Sequence, residues 1–162
     1  MIDLNPYAIP PLLCSIIILS AGFIVLFKKC HANLNQAFFL LCISTATWLS
    51  FYGINFTGTS QNPEFSQLML RVGYCGVAFI SITFMNYLFT FSNTPQRKSI
   101  LVLNTIYGVI LVFLILTTNL IVDGFHHFYW GHYPAAGKLH PYFLTIFLSQ
   151  CVIANYQELS SF

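Results

Sequence analysis

The sequence predicts an all-α fold, a bundle of helices that cross a lipid bilayer several times. Of the 162 residues, 57% are hydrophobic and only 6% are charged, whereas about a quarter of an ordinary globular chain is charged. Four uninterrupted apolar runs are each about 20 residues long, which matches the roughly 30 Å hydrocarbon core of a bilayer. Their apolar residues do not alternate with polar ones, as they do in membrane barrels. We therefore predict a single membrane-embedded module over residues 1–162.

The apolar runs predict the individual helices. Because lipid offers no hydrogen-bond partners, the backbone of such a run must satisfy its own polar groups by forming a helix. Four complete helices are expected, at Ala8–Phe27, Ala37–Phe56, Leu68–Phe91 and Ile100–Val122. A fifth apolar run starts at Tyr142 and contains Ser149 and Gln150. It reaches the length of a membrane span only if the helix extends to Leu159.

The loop charges predict the orientation of the chain. The first run is expected to remain as an anchor, because Asp3 precedes it where a signal peptide has basic residues. The loops after the first and third helices contain bases and no acid: Lys28, Lys29, Arg97 and Lys98. The opposite side contains Asp3, Glu64 and Asp123, with Lys138 as its base. Because basic loops stay in the cytoplasm, the amino terminus is expected outside and the carboxyl terminus inside.

The longest connection, residues 123–141, is rich in aromatic residues and histidine: Phe125, His126, His127, Phe128, Tyr129, Trp130, His132 and Tyr133. The segment Pro134–Gly137 that follows predicts a turn. Tyrosine and tryptophan favour the headgroup level, so one interpretation is an interfacial aromatic belt. The other is an outward-facing pocket for a small molecule, since such pockets are commonly lined by aromatic rings with a few polar groups.

The histidines of this connection leave three interpretations open. His127 and His132 would make a plausible pair for Zn²⁺ or Cu²⁺, but the spacing matches no dedicated metal motif. A titrating role near the outer surface is the second interpretation, and ordinary interfacial histidines are the third. The cysteines form no C-x-x-C pair. We therefore predict neither a metal site nor a cofactor.

Arg71 is the one charged residue within a membrane run, and an intramembrane charge is costly without a partner. Its side chain can extend to the headgroups, pair with an acid on the same side (Asp3, Glu64 or Asp123), or bind an anionic ligand. For a ligand site the candidate residues are Arg71, Trp130, His132 and Tyr133.

Other residues within the runs are expected to serve packing. Small residues at helical spacing, which allow close approach of two helices, occur at Gly73 and Gly76 and at Ala46 and Ser50. Asn86 and Asn104 are expected to hydrogen-bond across helices, and Leu111 to face lipid.

No catalytic motif is present in the sequence. It contains no glycine-rich phosphate loop, no G-x-S-x-G elbow and no H-E-x-x-H pair. Its four acidic residues are scattered over loops and ends, so a carboxylate pair is not expected. A net charge of +2 is too small to indicate a nucleic-acid partner. We therefore predict that the chain is not an enzyme.

Four segments carry a resemblance to a known family: Asn5–Pro11, Asn35–Leu41, Arg71–Gly76 and Tyr129–Gly137. Together they resemble the amino-terminal seven-transmembrane sensor module of bacterial sensor histidine kinases. This resemblance implies an outside amino terminus, seven helices and a cytoplasmic output such as a kinase. The chain accounts for about five of the helices and contains no phosphoacceptor His-Glu box. The resemblance therefore implies a signal-input module of the bacterial cytoplasmic membrane without its own kinase domain.

The partners that this interpretation implies are the lipid bilayer, a cytoplasmic signalling domain or partner kinase, a small-molecule stimulus and a second copy of the chain. The alternatives are a small transporter or channel subunit and a structural membrane protein. Transport cores usually contain midplane charges or helices broken by glycine and proline. In this sequence, Arg71 lies near a helix end and the prolines lie at helix ends or in loops, so the signal-input module is preferred.

Overall fold

A computed structural model describes residues 5–57, 62–93 and 97–159. The described residues form a short 3-10 turn at Pro6–Ala8, five helices and one β-hairpin. In chain order they are α1 (Ile9–Lys28), α2 (Asn33–Phe56), α3 (Pro63–Phe91), α4 (Arg97–Thr117), β1 (Val122–Phe128), β2 (Gly131–Ala136) and α5 (His140–Leu159). The predicted all-α helix bundle is confirmed, and the hairpin is an addition to it.

Four of the described helices are long and apolar enough to cross a membrane. In the structure these helices span Pro6–Lys28, Asn33–Phe56, Pro63–Phe91 and Lys98–Thr117. Each of them overlaps one of the four predicted spans. The predicted fifth helix is present as α5, whose 20 residues would extend about 30 Å. Helix α5 contains Gln150 and Asn155, and it is not among the described helices that are apolar enough to cross a membrane.

Helix α3 lies at the centre of the bundle and packs against α2, α4 and α5, whereas α1 packs against α2. The contact between α2 and α3 is close at Gly76. A Cβ atom at this position would lie 2.7 Å from the Trp48 amide nitrogen and 2.8 Å from the Ser44 carbonyl oxygen. The predicted close approach is therefore confirmed at Gly76, where the backbones of two helices meet.

Helices α2 to α5 all begin earlier than their apolar runs, and in α2 and α3 a polar first turn extends the helix beyond the apolar segment. Helix α3 starts at Pro63, and the Asn62 side chain accepts a hydrogen bond of 3.0 Å from the Glu64 amide, which is an N-cap. Helix α2 starts at Asn33, and its Asn35 donates to the Val25 carbonyl at 2.9 Å. Asn35 thus satisfies a carbonyl that the end of α1 leaves open.

Helix α4 ends at Thr117, five residues before the predicted boundary at Val122. Ile121 and Val122 instead enter a buried apolar cluster at the base of the hairpin. Its members are Ala78, Leu111, Ile115, Ile121, Val122 and Phe143. Leu111, expected to face lipid, is only 6% exposed, so that expectation is wrong: the helix turns this residue toward α3.

The hairpin replaces the loop expected between the fourth and fifth helices. Its antiparallel register pairs Phe125 with Pro134, His126 with Tyr133, His127 with His132 and Phe128 with Gly131. The turn predicted at Pro134–Gly137 is wrong for most of that segment, because Pro134 to Ala136 belong to β2 and the chain reverses at Tyr129–Trp130. A register irregularity between Val122 and Phe125 contains Gly124, at φ +77°, a backbone angle that glycine adopts readily.

Candidate functional site

The hairpin lies at one end of the bundle, and the exposed Lys28, Lys29 and Lys98 lie at the other. At the hairpin end, the Asn5 side chain donates a hydrogen bond of 2.7 Å to the Trp130 carbonyl, which places the start of α1 there. Lys28, at the far end of α1, is exposed, as are Lys29 and Lys98. The aromatic connection and the basic loops are therefore on opposite sides, as the distribution of loop charges along the sequence predicts.

Aromatic rings attach the hairpin to the end of α2. The Trp130 ring meets Phe56 edge-on at 5.4 Å and lies parallel to Phe128 at 5.0 Å. The Tyr133 ring contacts Trp130 at 6.0 Å and Tyr52 at 6.2 Å, both edge-to-face. These are favourable ring geometries, so Trp130 and Tyr133 form one aromatic cluster with the end of α2.

Beneath these rings, three polar residues form a hydrogen-bonded triad that connects α2, α3 and β2. The Asn55 amide nitrogen donates to the His132 carbonyl at 2.8 Å. The Ser66 hydroxyl donates to the Asn55 side-chain oxygen, and the His132 Nδ1 lies 2.7 Å from the Ser66 Oγ. Asn55 and Ser66 are completely buried. Because each of these groups has a partner within the triad, it avoids the cost of an unsatisfied buried polar group.

The direction of each hydrogen bond in the triad follows from the Asn55 amide. Its nitrogen must face the His132 carbonyl, so its oxygen faces Ser66 and takes the single hydroxyl proton. Ser66 can then only accept from His132, which must carry its proton on Nδ1. In hydrolytic triads the serine donates to the histidine. Here the order is reversed, so His132 does not act as a base toward Ser66.

The surroundings of His132 favour its neutral form. Burial lowers the pKa of His132 from its ordinary value, and the neighbouring His127 lowers it further. The His132 ring is packed between Phe125, with ring centres 4.3 Å apart, and His127, at 4.9 Å. At neutral pH the Nε2 atom of His132 therefore carries a lone pair rather than a proton.

Arg71 takes its hydrogen-bond partners from α4 and the residues that follow it. Its guanidinium donates to the Leu116 carbonyl at 3.0 Å and to the Asn119 side chain. A cation there stabilises the carboxyl end of the α4 dipole. Among the residues described, Arg71 forms no ion pair with Glu64 or Asp123, and Asp3 lies outside them. The structure thus brings Trp130, His132 and Tyr133 together, while the bonds of Arg71 hold the junction of α3 and α4.

A second polar chain lies between the helices. Ser81 on α3 donates to the Gln150 side chain at 2.6 Å, and Gln150 donates to Asn104 at 3.2 Å. Asn104 in turn donates to the Met85 sulfur at 3.0 Å. This chain connects α3, α4 and α5 and confirms the expected interhelical bonding of Asn104. The Asn86 side chain accepts a hydrogen bond of 3.4 Å from the Thr90 hydroxyl on the same helix.

Two residues of the hairpin triad, Asn55 and Ser66, were not singled out from the sequence. The sequence gives little indication of their role. Asn55 is a single amide at the end of the second apolar run, and Ser66 is a single hydroxyl shortly before the third. In residues 5–57, 62–93 and 97–159, no group of three or more histidine, cysteine or acidic side chains is arranged to hold a metal ion.

Four membrane-length helices, a fifth helix beside them and a structured hairpin over one end define an integral membrane helix bundle. A family model described as the N-terminal 7TM region of histidine kinase matches residues 11–152. The chain therefore belongs to this family, and the resemblance predicted from the sequence is confirmed. The matched region is the sensor region of histidine kinases rather than a catalytic domain. No curated protein and no solved structure matches the chain.

Proposed function

We propose that the chain is a membrane-embedded signal-input module of a histidine-kinase-type signalling protein. A stimulus at the hairpin end changes helix packing, and the change reaches a cytoplasmic kinase domain or partner at the basic end. The family match supports the sensor class. The single observation that carries the proposal is the buried Asn55–Ser66–His132 triad, which couples the hairpin directly to α2 and α3.

Helix α3 is the element best placed to transmit such a change. Ser66 lies in its first turns, Ser81 near its middle, and the helix continues to Phe91 at the opposite end. Through Ser81 and Gln150 it is bonded to α5, and through Gln150 and Asn104 α5 is bonded to α4. A ligand shifts such a bundle only if it contacts two arrangements of the hairpin differently.

The proposed stimulus is a small molecule that binds at the hairpin end. Trp130, His132 and Tyr133 supply aromatic and polar contacts, and Arg71, five residues after Ser66 on α3, supplies a positive charge toward the same end. The Tyr133 side chain is 45% exposed, so the cluster is accessible. Aromatic walls with a few polar groups are the usual lining of small-molecule sites.

The proposed orientation places the hairpin outside the cytoplasmic membrane of a bacterium. The exposed Lys28, Lys29 and Lys98 would then lie in the cytoplasm, where basic loops are retained. The same orientation puts the end of α5 on the side where an output domain or partner kinase would be found.

A chimera tests this function. Residues 11–152 replace the matching segment of a histidine kinase of the same family, and autophosphorylation is measured in membrane vesicles. We expect Trp130→Ala to change the phosphorylation level by about 5- to 150-fold, the usual range of an allosteric coupling. The matched control is Leu103→Ala on α4, a side chain that is 68% exposed on the bundle surface.

Two results would count against the proposal. One is a chimera that inserts normally and phosphorylates equally with either substitution. The other is solute or ion flux through vesicles that contain only the purified chain, which would favour the transporter or channel alternative.

A further inference from the structure

We infer that His127 and His132 form a binding site for a transition-metal ion, Cu²⁺ or Zn²⁺, at the hairpin end of the bundle. This site goes beyond the proposed signalling function and does not depend on it, and it departs from the expectation, drawn from the sequence, that the chain has no metal site. The inference rests on three features of the described residues: the pairing of the two histidines, the hydrogen bond that fixes the Nδ1 of His132, and the accessibility of His127.

The two imidazoles are direct neighbours across the hairpin. His127 on β1 is the register partner of His132 on β2, and their ring centres lie 4.9 Å apart. Side chains that are directly opposite on antiparallel strands project from the same face of the sheet. Nitrogen ligands approach these metals to about 2.0–2.1 Å, so one ion between the rings can be reached by both after small side-chain rotations.

The triad prepares His132 to act as a ligand. Its Nδ1–H is donated to Ser66, whose own proton is directed to Asn55. The Nε2 lone pair is therefore free of a proton in the neutral residue. Metal-binding histidines commonly donate their second ring nitrogen to a neighbouring acceptor, which sets the tautomer and the ring orientation. Ser66 supplies this acceptor here, with no metal required to organise it.

His127 makes the pair accessible. It is exposed, as is its neighbour His126, whereas His132 is half-buried. His126 pairs with Tyr133 rather than with His132 and projects from the other face of the strand. His140 is occupied elsewhere, because its Nδ1 lies 3.2 Å from the Ile121 carbonyl. An ion can therefore reach the His127–His132 pair from the aqueous side.

The donor set selects the class of ion. Imidazole nitrogens suit Cu²⁺, Zn²⁺ and Ni²⁺ better than Ca²⁺ or Mg²⁺, and Cu²⁺ is bound most tightly in this series. In the part of the chain that the structure describes, no third histidine, cysteine or acidic side chain joins the pair. Water would complete the coordination, so the ion is expected to be weakly held and exchangeable.

The test measures Cu²⁺ binding to the whole chain in lipid nanodiscs. Titration calorimetry gives the number of ions bound per chain, and the nitrogen couplings in the electron spin resonance spectrum give the number of imidazole ligands. We expect one ion per chain with two coupled imidazole nitrogens. His127→Ala should remove this site without disturbing the fold, since the side chain is exposed. His126→Ala, on the adjacent exposed position, should bind Cu²⁺ like the parent.

Ser66→Ala tests the preparation of His132 separately. Loss of a hydrogen-bond partner behind a ligating histidine typically weakens binding by about 10- to 100-fold. In the metal-free parent, nitrogen NMR should find the His132 proton on Nδ1. The inference is overturned if the parent binds no Cu²⁺, if His127→Ala binds as the parent does, or if the His132 proton is found on Nε2.

Discussion

At the scale of single residues, the triad below the hairpin shows how three uncharged side chains hold two distant segments together. Ser66 and His132 are 66 positions apart, yet each supplies the partner that the other needs. Lipid offers no hydrogen-bond partner to the polar atoms of these side chains, and water is excluded from Asn55 and Ser66. The cost of removing one partner is therefore the cost of leaving the others unpaired.

We predict that Ser66→Ala lowers the free energy of unfolding by about 1–3 kcal/mol, because it leaves the Asn55 oxygen and the His132 Nδ1–H without a partner. Unfolding in mixed micelles, followed by circular dichroism, measures this change. Ser149→Ala is the control, since Ser149 is exposed and bonds only to the Thr145 carbonyl of its own helix turn. If both variants unfold like the parent, the triad contributes nothing to stability.

The candidate site residues differ in how far the sequence alone could identify them. Trp130, His132 and Tyr133 stand out because many rings and imidazoles are concentrated in one connection. Asn55 and Ser66 do not, because a lone asparagine or serine near a helix end has many possible roles and its distant partner leaves no local pattern. The sequence already offers His127 and His132 as a pair, but their strand register and the tautomer of His132 are determined only in the folded hairpin.

At the scale of elements, apolar runs predicted where the helices lie but not where they end. A run of apolar residues measures the thickness of the hydrocarbon, whereas the helix continues through polar caps, as at Asn62 and Asn35. The opposite error occurred at Ile121 and Val122. They extend the apolar run of α4, yet they leave the helix and fill the core beneath the hairpin.

We predict opposite outcomes for the same change at two glycines of α3. Gly76→Ala should lower the free energy of unfolding by about 1–3 kcal/mol, the usual cost of overpacking, because its Cβ would meet the Trp48 and Ser44 backbone at 2.7 and 2.8 Å. Gly73→Ala meets its nearest atom, the Phe51 Cβ, at 3.5 Å, which is ordinary contact. Alanine should there be neutral or stabilising.

Both glycine variants are unfolded in mixed micelles, and their free energies of unfolding are compared. The helix content of each folded variant is measured first, to exclude differences in membrane insertion. Equal stability of Gly76→Ala and the parent would mean that α2 and α3 are free to separate. It would contradict the close packing at this crossing.

At the scale of the whole molecule, the aromatic hairpin and a basic surface lie at opposite ends of the bundle. The hairpin, the amino-terminal turn and the ends of α2 and α4 gather at one end, and the exposed Lys28, Lys29 and Lys98 at the other. Charge distribution along the sequence is sufficient to anticipate this separation. The hairpin itself is not, since its formation depends on the pairing of two short segments across the reversal at Tyr129–Trp130.

We predict that the two ends face different compartments. In a cysteine-free background, single cysteines at the exposed Asn33 and Asn93 should be shielded from membrane-impermeant thiol reagents in intact cells, because the neighbouring basic residues hold those loops inside. A cysteine at Tyr129, a side chain that is 89% exposed, should be labelled. Labelling of the first two and protection of the third would invert the orientation.

The pairing of His127 with His132 also determines which changes in chain length the hairpin can accept. Successive residues of a strand face opposite sides, so one residue added at Tyr129–Trp130 would shift every later partner by one position and reverse its face. The backbone carbonyl and ring that now meet Asn55 and Ser66 would be replaced by those of a neighbour. Insertions and deletions at this tip should therefore be rare in any functional descendant of the gene, even where substitutions are frequent.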